Sequence, residues 1–331
     1  MSAPEPRANP LLLGHGAAEA AMLAAVSAGR VHHAWLIHGP EGVGKATLAF
    51  RFARGLLGRR GMAMGVADPV FRRVAAGTHA DLLTVERAWD EKRRRMRGEI
   101  GVDEVRGIAD FLRLTPAEGG WRVVVVDGAE FLNRNAANAL LKVLEEPPPR
   151  AVLLLVCAAP GRLLATIRSR CRRLALGRLC EADMARLVGE YLPEAEAEAG
   201  RLVALADGSP GRAMRLAEAD AGSLAALVDE VLEGVPGLPE GRLVKGAEQV
   251  VRGEAGFAIF MELLREGVAN AVRAVAAGGG SPAQLRFAGA RPLARWVEVW
   301  HALARLQSET ERFNLDKRHA VLSGLALLNE T

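Results

Sequence analysis

Apolar positions fall into two regimes along this chain. Up to about residue 176, short unbroken apolar runs alternate with stretches of helical periodicity; beyond that point only the helical period persists. Trp35–His38 is a short apolar run leading straight into a glycine-rich turn, and Thr47–Leu57 continues with apolar residues at helical spacing. Trp121–Val126 and Ala151–Val156 are continuous apolar runs, the pattern of strands buried on both faces. Asp81–Val85 reads as a further strand. Helices are predicted over Gly16–Ala28, Val102–Leu112 and Asn133–Glu146, the last closed by Pro147-Pro148-Pro149. The segment ahead of the first helix reads as an extended lead-in, and 58–78 as irregular. Glu86–Glu99, with Lys92-Arg93-Arg94-Arg95 inside it, reads as the solvated face of a helix or loop. Strands alternating with helices predict a parallel α/β sheet.

After Arg173 the pattern predicts no further strand, only helices rich in Ala, Leu, Glu and Arg. Gly208-Ser209-Pro210-Gly211 separates one helical cluster from the next, Gly234–Gly241 reads as a linker and Gly278–Pro282 as a loop. The expected fold class is thus α/β: a P-loop parallel-sheet domain over residues 1–176, a small helical domain over 177–222 and an all-helical domain over 223–331.

Composition changes this picture little. Half of the 331 residues are apolar and a quarter charged, as in ordinary globular chains. The net charge of +4 is a mild basic excess, and since nearly all of the cations are Arg and Ala abounds, it follows in part from compositional bias. Cys157, Cys171 and Cys180 form no C-x-x-C pair, which argues against a disulfide framework and against zinc. The first residues, MSAPEPRANP, carry no charged segment followed by an apolar one, and no apolar run approaches a membrane span, so the expectation is a cytoplasmic protein.

The chemistry concentrates in a few motifs. Gly39-Pro-Glu-Gly42-Val-Gly44-Lys45-Ala46-Thr47 is a phosphate-binding loop between strand and helix, with Lys45 supplying a charge for β/γ phosphates. Its usual last position is a Ser or Thr that ligates Mg²⁺. Here it is Ala46, and Thr47 comes one residue, about 100° of helix, too late. Val123-Val-Val-Val-Asp127 has the form of a Walker B strand whose Asp127 holds Mg²⁺, yet Gly128 follows where a water-activating carboxylate is expected, with Glu130 two positions on. Asn138, Lys142 and Glu145 or Glu146 share one face of the helix after it.

The string Asn135-Ala-Ala-Asn-Ala-Leu-Leu-Lys-Val-Leu-Glu-Glu-Pro-Pro148, with Arg162-Leu-Leu-Ala-Thr-Ile-Arg-Ser-Arg-Cys171, Gly208-Ser-Pro-Gly-Arg212 and His79-Ala-Asp-Leu82, resembles the AAA+ subunits of the bacterial sliding-clamp loader of DNA polymerase III over roughly residues 30–216. The resemblance implies a helical lid at 177–222, an oligomerisation collar from 223 onward and a hetero-oligomer with motor and delta subunits. Through that complex it implies partnership with the sliding clamp and with primed DNA, the latter met through sequence-neutral contacts from Lys92–Arg97 and helix N-termini. It implies that Arg170 of Ser169-Arg170-Cys171 is an arginine finger acting in trans, that Asn138, Lys142, Glu145, Ser169 and Arg170 face a neighbour, and that Arg212 is the phosphate-contacting arginine of the lid. The degenerate nucleotide-site set is then Gly39, Gly42, Gly44, Lys45, Thr47, Asp127 and Arg212. Cys157-Ala158-Ala159 offers no good donor where a γ-phosphate sensor is expected. The motor subunits carry the hydroxyl, the Asp-Glu pair and a four-cysteine zinc module; this chain lacks all of them, so the expectation is a largely non-hydrolysing subunit, with weakened ATP/Mg²⁺ binding and no zinc. Nucleotidyl transfer belongs to the polymerase holoenzyme, since no paired-carboxylate polymerase site is recognisable. The alternatives are a competent ATPase motor using Glu130 and, further off, a free-standing phosphotransferase.

Overall fold

The computed structural model describes residues 4–59, 61–91, 95–237, 239–253 and 255–329. Contacts divide the chain into two compact units, one running up to Pro193 together with Ala206–Arg212, the other comprising Glu194–Leu205 and the chain from Ala213 onward.

The first unit is built on a five-stranded sheet in which every strand is parallel to its neighbours. Its strands are β1 (Ala34–His38), β2 (Leu82–Val85), β5 (Arg122–Asp127), β6 (Ala151–Cys157) and β7 (Arg172–Ala175), in the spatial order β2-β5-β6-β1-β7. The expected α/β class therefore holds. Val123–Val126 and Val152–Leu155 are fully buried, which is why these runs show no alternation in sequence. Helices α1 (Gly16–Ser27), α2 (Lys45–Gly58), α4 (Val102–Arg113), α5 (Arg134–Glu145) and the short α6 (Ala165–Arg170) accompany the sheet. One apolar core joins β5 and β6 to α4 and α5 through Val105, Ile108, Leu112, Leu140 and Leu144. Asn133 caps α5, its side chain accepting from the Ala136 amide at 2.9 Å.

Three expectations need correction. The stretch 58–78 is not wholly irregular: Pro69–Ala75 is a helix, α3, with Pro at its start and Asp68 as cap, accepting from the Val70 amide at 2.8 Å. One further strand runs past Arg173: β7 (Arg172–Ala175) is an edge strand whose Arg172 and Arg173 are exposed, so no apolar run announces it. Glu86–Glu99 holds a small antiparallel hairpin, β3 (Trp89–Asp90) and β4 (Arg95–Met96), rather than a helix or a plain loop; Lys92, Arg93 and Arg94 lie outside the described residues. The lead-in also contains one 3₁₀ turn at Pro6–Ala8.

The rest of the chain is helical. α7 (Glu181–Tyr191), α8 (Ala199–Ala206) and α9 (Pro210–Glu218) follow the sheet, and the second unit adds α10 (Ala221–Gly234), α11 (Glu240–Val250), α12 (Gly256–Ala276), α13 (Pro282–Gly289), α14 (Leu293–Phe313) and α15 (Lys317–Asn329). Its core centres on α12, whose Phe257, Phe260, Met261 and Leu264 are buried. Trp296 stacks on Phe287 with ring centroids 4.1 Å apart, and its indole N–H donates to the Ala288 carbonyl at 3.1 Å, so the buried ring leaves no polar atom unsatisfied. Among the described residues no helix is long and apolar enough to cross a membrane.

Candidate functional site: a tied phosphate loop and an exposed arginine

The glycine-rich loop leaves the C-terminal end of β1 and opens α2. Its glycines are demanded by the backbone: Gly39, Gly42 and Gly44 all have positive φ, and a Cβ on Gly39 would strike the Leu176 carbonyl. The carbonyls of Pro40 through Gly44 are all engaged. Lys45 Nζ donates to Pro40 O at 2.5 Å, Ser209 Oγ to Glu41 O at 2.9 Å, the Gly211 amide to Gly42 O at 2.9 Å and His15 Nε2 to Val43 O at 2.6 Å. The carbonyl of Gly44 accepts the first helical bond, from Leu48. A trans peptide sets its N–H opposite its C=O, so carbonyls turned to protein donors leave amide edges free to form an anion-binding concavity. Gly211 comes so close that a Cβ on it would stand 2.9 Å from Gly42 Cα. The Gly208–Arg212 motif is therefore packed directly on the loop. Arg212 contributes its amide to that contact, donating to Ser209 Oγ at 3.3 Å.

Lys45 is 7% exposed. Burial lowers its pKa, an effect opposed by the nearby carboxylates of Glu130, Asp127 and Glu41 and by the Cys157 thiol. Asp127, at the end of β5, has its pKa raised, first by burial and then by Glu86 and Glu130, with Lys45 opposing. These groups form one electrostatic cluster, as the sequence predicts for Lys45 and Asp127. Ala46 brings no oxygen to it, and Thr47 is buried in α2. Gly128 adopts the left-handed conformation with φ 78°, and a Cβ there would lie 2.8 Å from the Phe131 ring. The backbone itself thus disfavours a carboxylate at that position. Glu130 is committed elsewhere: its Oε1 accepts from the Ala158 amide at 2.9 Å. Cys157 is buried, its thiol pushed up to about 12 by desolvation and then by Glu130, so it stays a protonated thiol, which is only a weak donor.

The other predicted residues gather on α5 and α6. Asn138, Lys142 and Glu145 are exposed on α5 and line a cleft of about 860 Å³ against Arg106 and Arg113 of α4. Arg170 closes α6, with Ile167 and Cys171 buried on either side of it and Ser169 exposed beside it. Its Nη2 lies 2.9 Å from Glu145 Oε1, and its Nη1 donates to the Thr166 carbonyl at 3.1 Å. Ser169 Oγ also donates to Thr166, at 3.0 Å. Arg170 remains half-exposed.

Sequence reasoning did not anticipate three donors to the loop. Ser209 and Gly211 lie inside a quoted motif, which was a usable signal; His15 carried none. It also gave the His79-Ala-Asp81-Leu82 motif no role, and that role is structural. Asp81 is 1% exposed; its Oδ1 accepts from the Ala117 amide at 2.8 Å and its Oδ2 from the Glu118 amide at 3.0 Å, with Arg122 Nη2 at 3.6 Å. Arg122 in turn donates to the carbonyls of Phe111 and Thr115. The motif thereby fastens the α4–β5 loop to the start of β2.

Comparison with known proteins agrees with the motif reading. The chain is 41% identical over 206 residues to DNA polymerase III subunit delta' of Pseudomonas aeruginosa, covering 61% of this chain and 60% of that one. It is 35% identical over 202 residues to the delta' subunit of Escherichia coli, covering 59% of this chain and 57% of the relative. The tau subunit of Escherichia coli matches at 36% over 154 residues, covering 46% of this chain and 22% of that subunit. The matches to the delta' relatives thus span less than two thirds of their length. The family model described as DNA polymerase III, delta subunit, matches residues 14–179, half of the chain, and the protein belongs to that family.

Proposed function

We propose that this chain acts as the delta-prime member of a DNA polymerase III clamp loader: a largely non-hydrolysing subunit that lends Arg170 to the ATP site of an adjacent motor subunit. The observation that carries the reading is the contrast between its two constellations. Its own loop has a methyl group at the metal-ligand position and a left-handed glycine at the water-activating one, while Arg170 stands partly exposed at the end of a helix, paired with Glu145. A guanidinium suits a trans role because it is planar, always charged and able to bridge phosphate oxygens. In this reading Asn138, Lys142, Glu145 and Ser169 belong to the same interface, 177–222 acts as the lid and the helices from 223 form the collar. The complex would grip and open the sliding clamp and engage primed DNA.

The test is reconstitution with motor and delta subunits. Arg170→Ala should lower ATP turnover of the assembly, by on the order of 10³-fold where one finger governs a site, while co-elution of the subunits is unchanged. Unchanged turnover would remove the finger from the proposal. The rival reading as a motor predicts ATP hydrolysis by the purified chain that Lys45→Ala abolishes.

A further inference from the structure

α6 is six residues long, and a helix so short has little stability of its own. Its direction, and with it the direction of the Arg170 side chain, is set by what holds it. Ile167 and Cys171 are buried in the core shared with α4 and α5. Apolar burial is non-directional, so it keeps the helix on the core without fixing how it is turned. Leu164, at the start of α6, makes no side-chain capping bond.

A directional anchor comes from Arg168. Its Nη1 donates to the Pro160 carbonyl at 3.0 Å, tying α6 to the 3₁₀ turn Pro160–Arg162 that follows β6. That turn is a firm support. The ring of Pro160 fixes its own φ, and the Arg162 amide donates to the Ala159 carbonyl at 2.9 Å. Just ahead of it, the Ala158 amide is held by Glu130 Oε1. Arg168 Nε, by contrast, is buried with no partner among the described residues. An unsatisfied buried donor is unfavourable, so the side chain adds little stability where it lies; what it contributes is orientation. Two residues on, Arg170 Nη1 and Ser169 Oγ both return to the Thr166 carbonyl, so the Arg170 guanidinium turns with α6.

We propose that Arg168 is a positioning residue for Arg170: its hydrogen bond to Pro160 holds α6 in the orientation from which the Arg170 guanidinium meets the phosphates of a neighbouring ATP site. This role rests on Arg170 acting as a finger in trans. Arg168 itself touches no reacting atom. Misplacing a transition-state group by about 1 Å costs about 10²-fold in rate, so a loosened α6 shows in turnover rather than in assembly.

The experiment uses the full chain reconstituted with motor and delta subunits, and compares Arg168 variants with Arg170→Ala. Arg168→Met keeps the apolar stem and deletes the donors. It should lower kcat for ATP by about 10²-fold while KM and co-elution of the subunits stay unchanged, the signature of a contact made in the transition state. Arg168→Lys returns one N–H within reach of the Pro160 carbonyl and should recover most of the loss. Added to Arg170→Ala, Arg168→Met should cause no further loss, because the two residues act as one unit. The melting temperature of the Arg168→Met chain should be no lower than that of wild type, since an unsatisfied donor leaves with the side chain. Wild-type turnover in Arg168→Met, or a further loss on top of Arg170→Ala, would overturn the positioning role. So would a defect confined to KM or co-elution, a melting temperature that falls with turnover, or an Arg168→Lys no better than Arg168→Met. Each of these leaves the finger standing so long as Arg170→Ala alone lowers turnover; unchanged turnover in Arg170→Ala removes both.

Discussion

Arg170 and Glu145 form an ion pair with Nη2 and Oε1 2.9 Å apart, joining the end of α6 to the end of α5. The pair is open to solvent, with side chains 36% and 51% exposed, so it is worth about 0.2–1 kcal/mol. With Nη1 on the Thr166 carbonyl as well, each terminal nitrogen already spends one of its N–H donors inside the chain, and in the proposed reading the Glu145 carboxylate competes with a phosphate for the guanidinium. Glu145→Ala should therefore raise ATP turnover of the reconstituted assembly by about two- to fivefold, the equivalent of the pair's free energy. Thermal stability of the chain itself should not change measurably. A fall in turnover would mean that Glu145 aims the arginine rather than restraining it.

Restoring the loop's hydroxyl should separate binding from hydrolysis. Ala46→Ser supplies the missing metal ligand, and calorimetric titration should find Mg²⁺-dependent ATP affinity strengthened, by about tenfold for one recovered charge-assisted contact. Hydrolysis should stay absent, because Gly128 offers no carboxylate. Adding Gly128→Glu should lower stability without producing turnover, since the position is left-handed and a Cβ would stand 2.8 Å from the Phe131 ring. Brisk turnover by the double variant would refute this account of the site.

Asp81→Ala should be among the most damaging single changes in the first unit. It removes the acceptor for two backbone amides and a partner of the nearly buried Arg122. The expected loss is about 3–5 kcal/mol, and the melting temperature should fall on the order of 10 °C. A melt matching wild type would show that water replaces the carboxylate.

Acid should weaken the fold through histidines. The pKa values of His33, His38 and His79 are all lowered, by burial first in each case, then by His32 for His33 and by Arg173 and Lys45 for His38. At His79, burial outweighs the opposing Glu118 and Asp81 carboxylates. Below the ordinary value of 6.5 the unfolded chain takes up protons that the folded one refuses. Stability is thus full above that value and declines as pH falls from 6.5 toward the lowered folded values. The Glu118 carboxylate, held down chiefly by its hydrogen bond from Arg73, contributes above 4.5, and its loss falls at lower pH. Melting temperatures measured from about pH 7 to pH 5 should decline, and His79→Gln should flatten the curve. A slope unchanged by that substitution would reassign the effect.

Much of the first unit was legible because its strands are buried on both faces: Val123–Val126 and Val152–Leu155 have no reason to alternate. β7 escaped because an edge strand with Arg172 and Arg173 in solvent leaves no apolar signature. α3 was hidden by brevity, its Asp68-Pro69 start reading equally well as a turn. The site divides in the same way. Motif spacing singles out Lys45 and Asp127, and the structure brings these two within one electrostatic cluster. Among the donors that close on the loop, Ser209 sits in a motif the sequence displays but its partner lies 168 residues away, and His15, 28 residues away, carries no local signal at all. Such partnerships exist only once the chain has folded.

Those distant donors make the glycine loop a junction where two remote parts of the chain meet it through its carbonyls. Its shape is set by covalently attached neighbours, so it does not wait for a visiting nucleotide to organise it. In the proposed reading, a methyl group at position 46 then costs the architecture little, because the loop is held as a joint by its own chain.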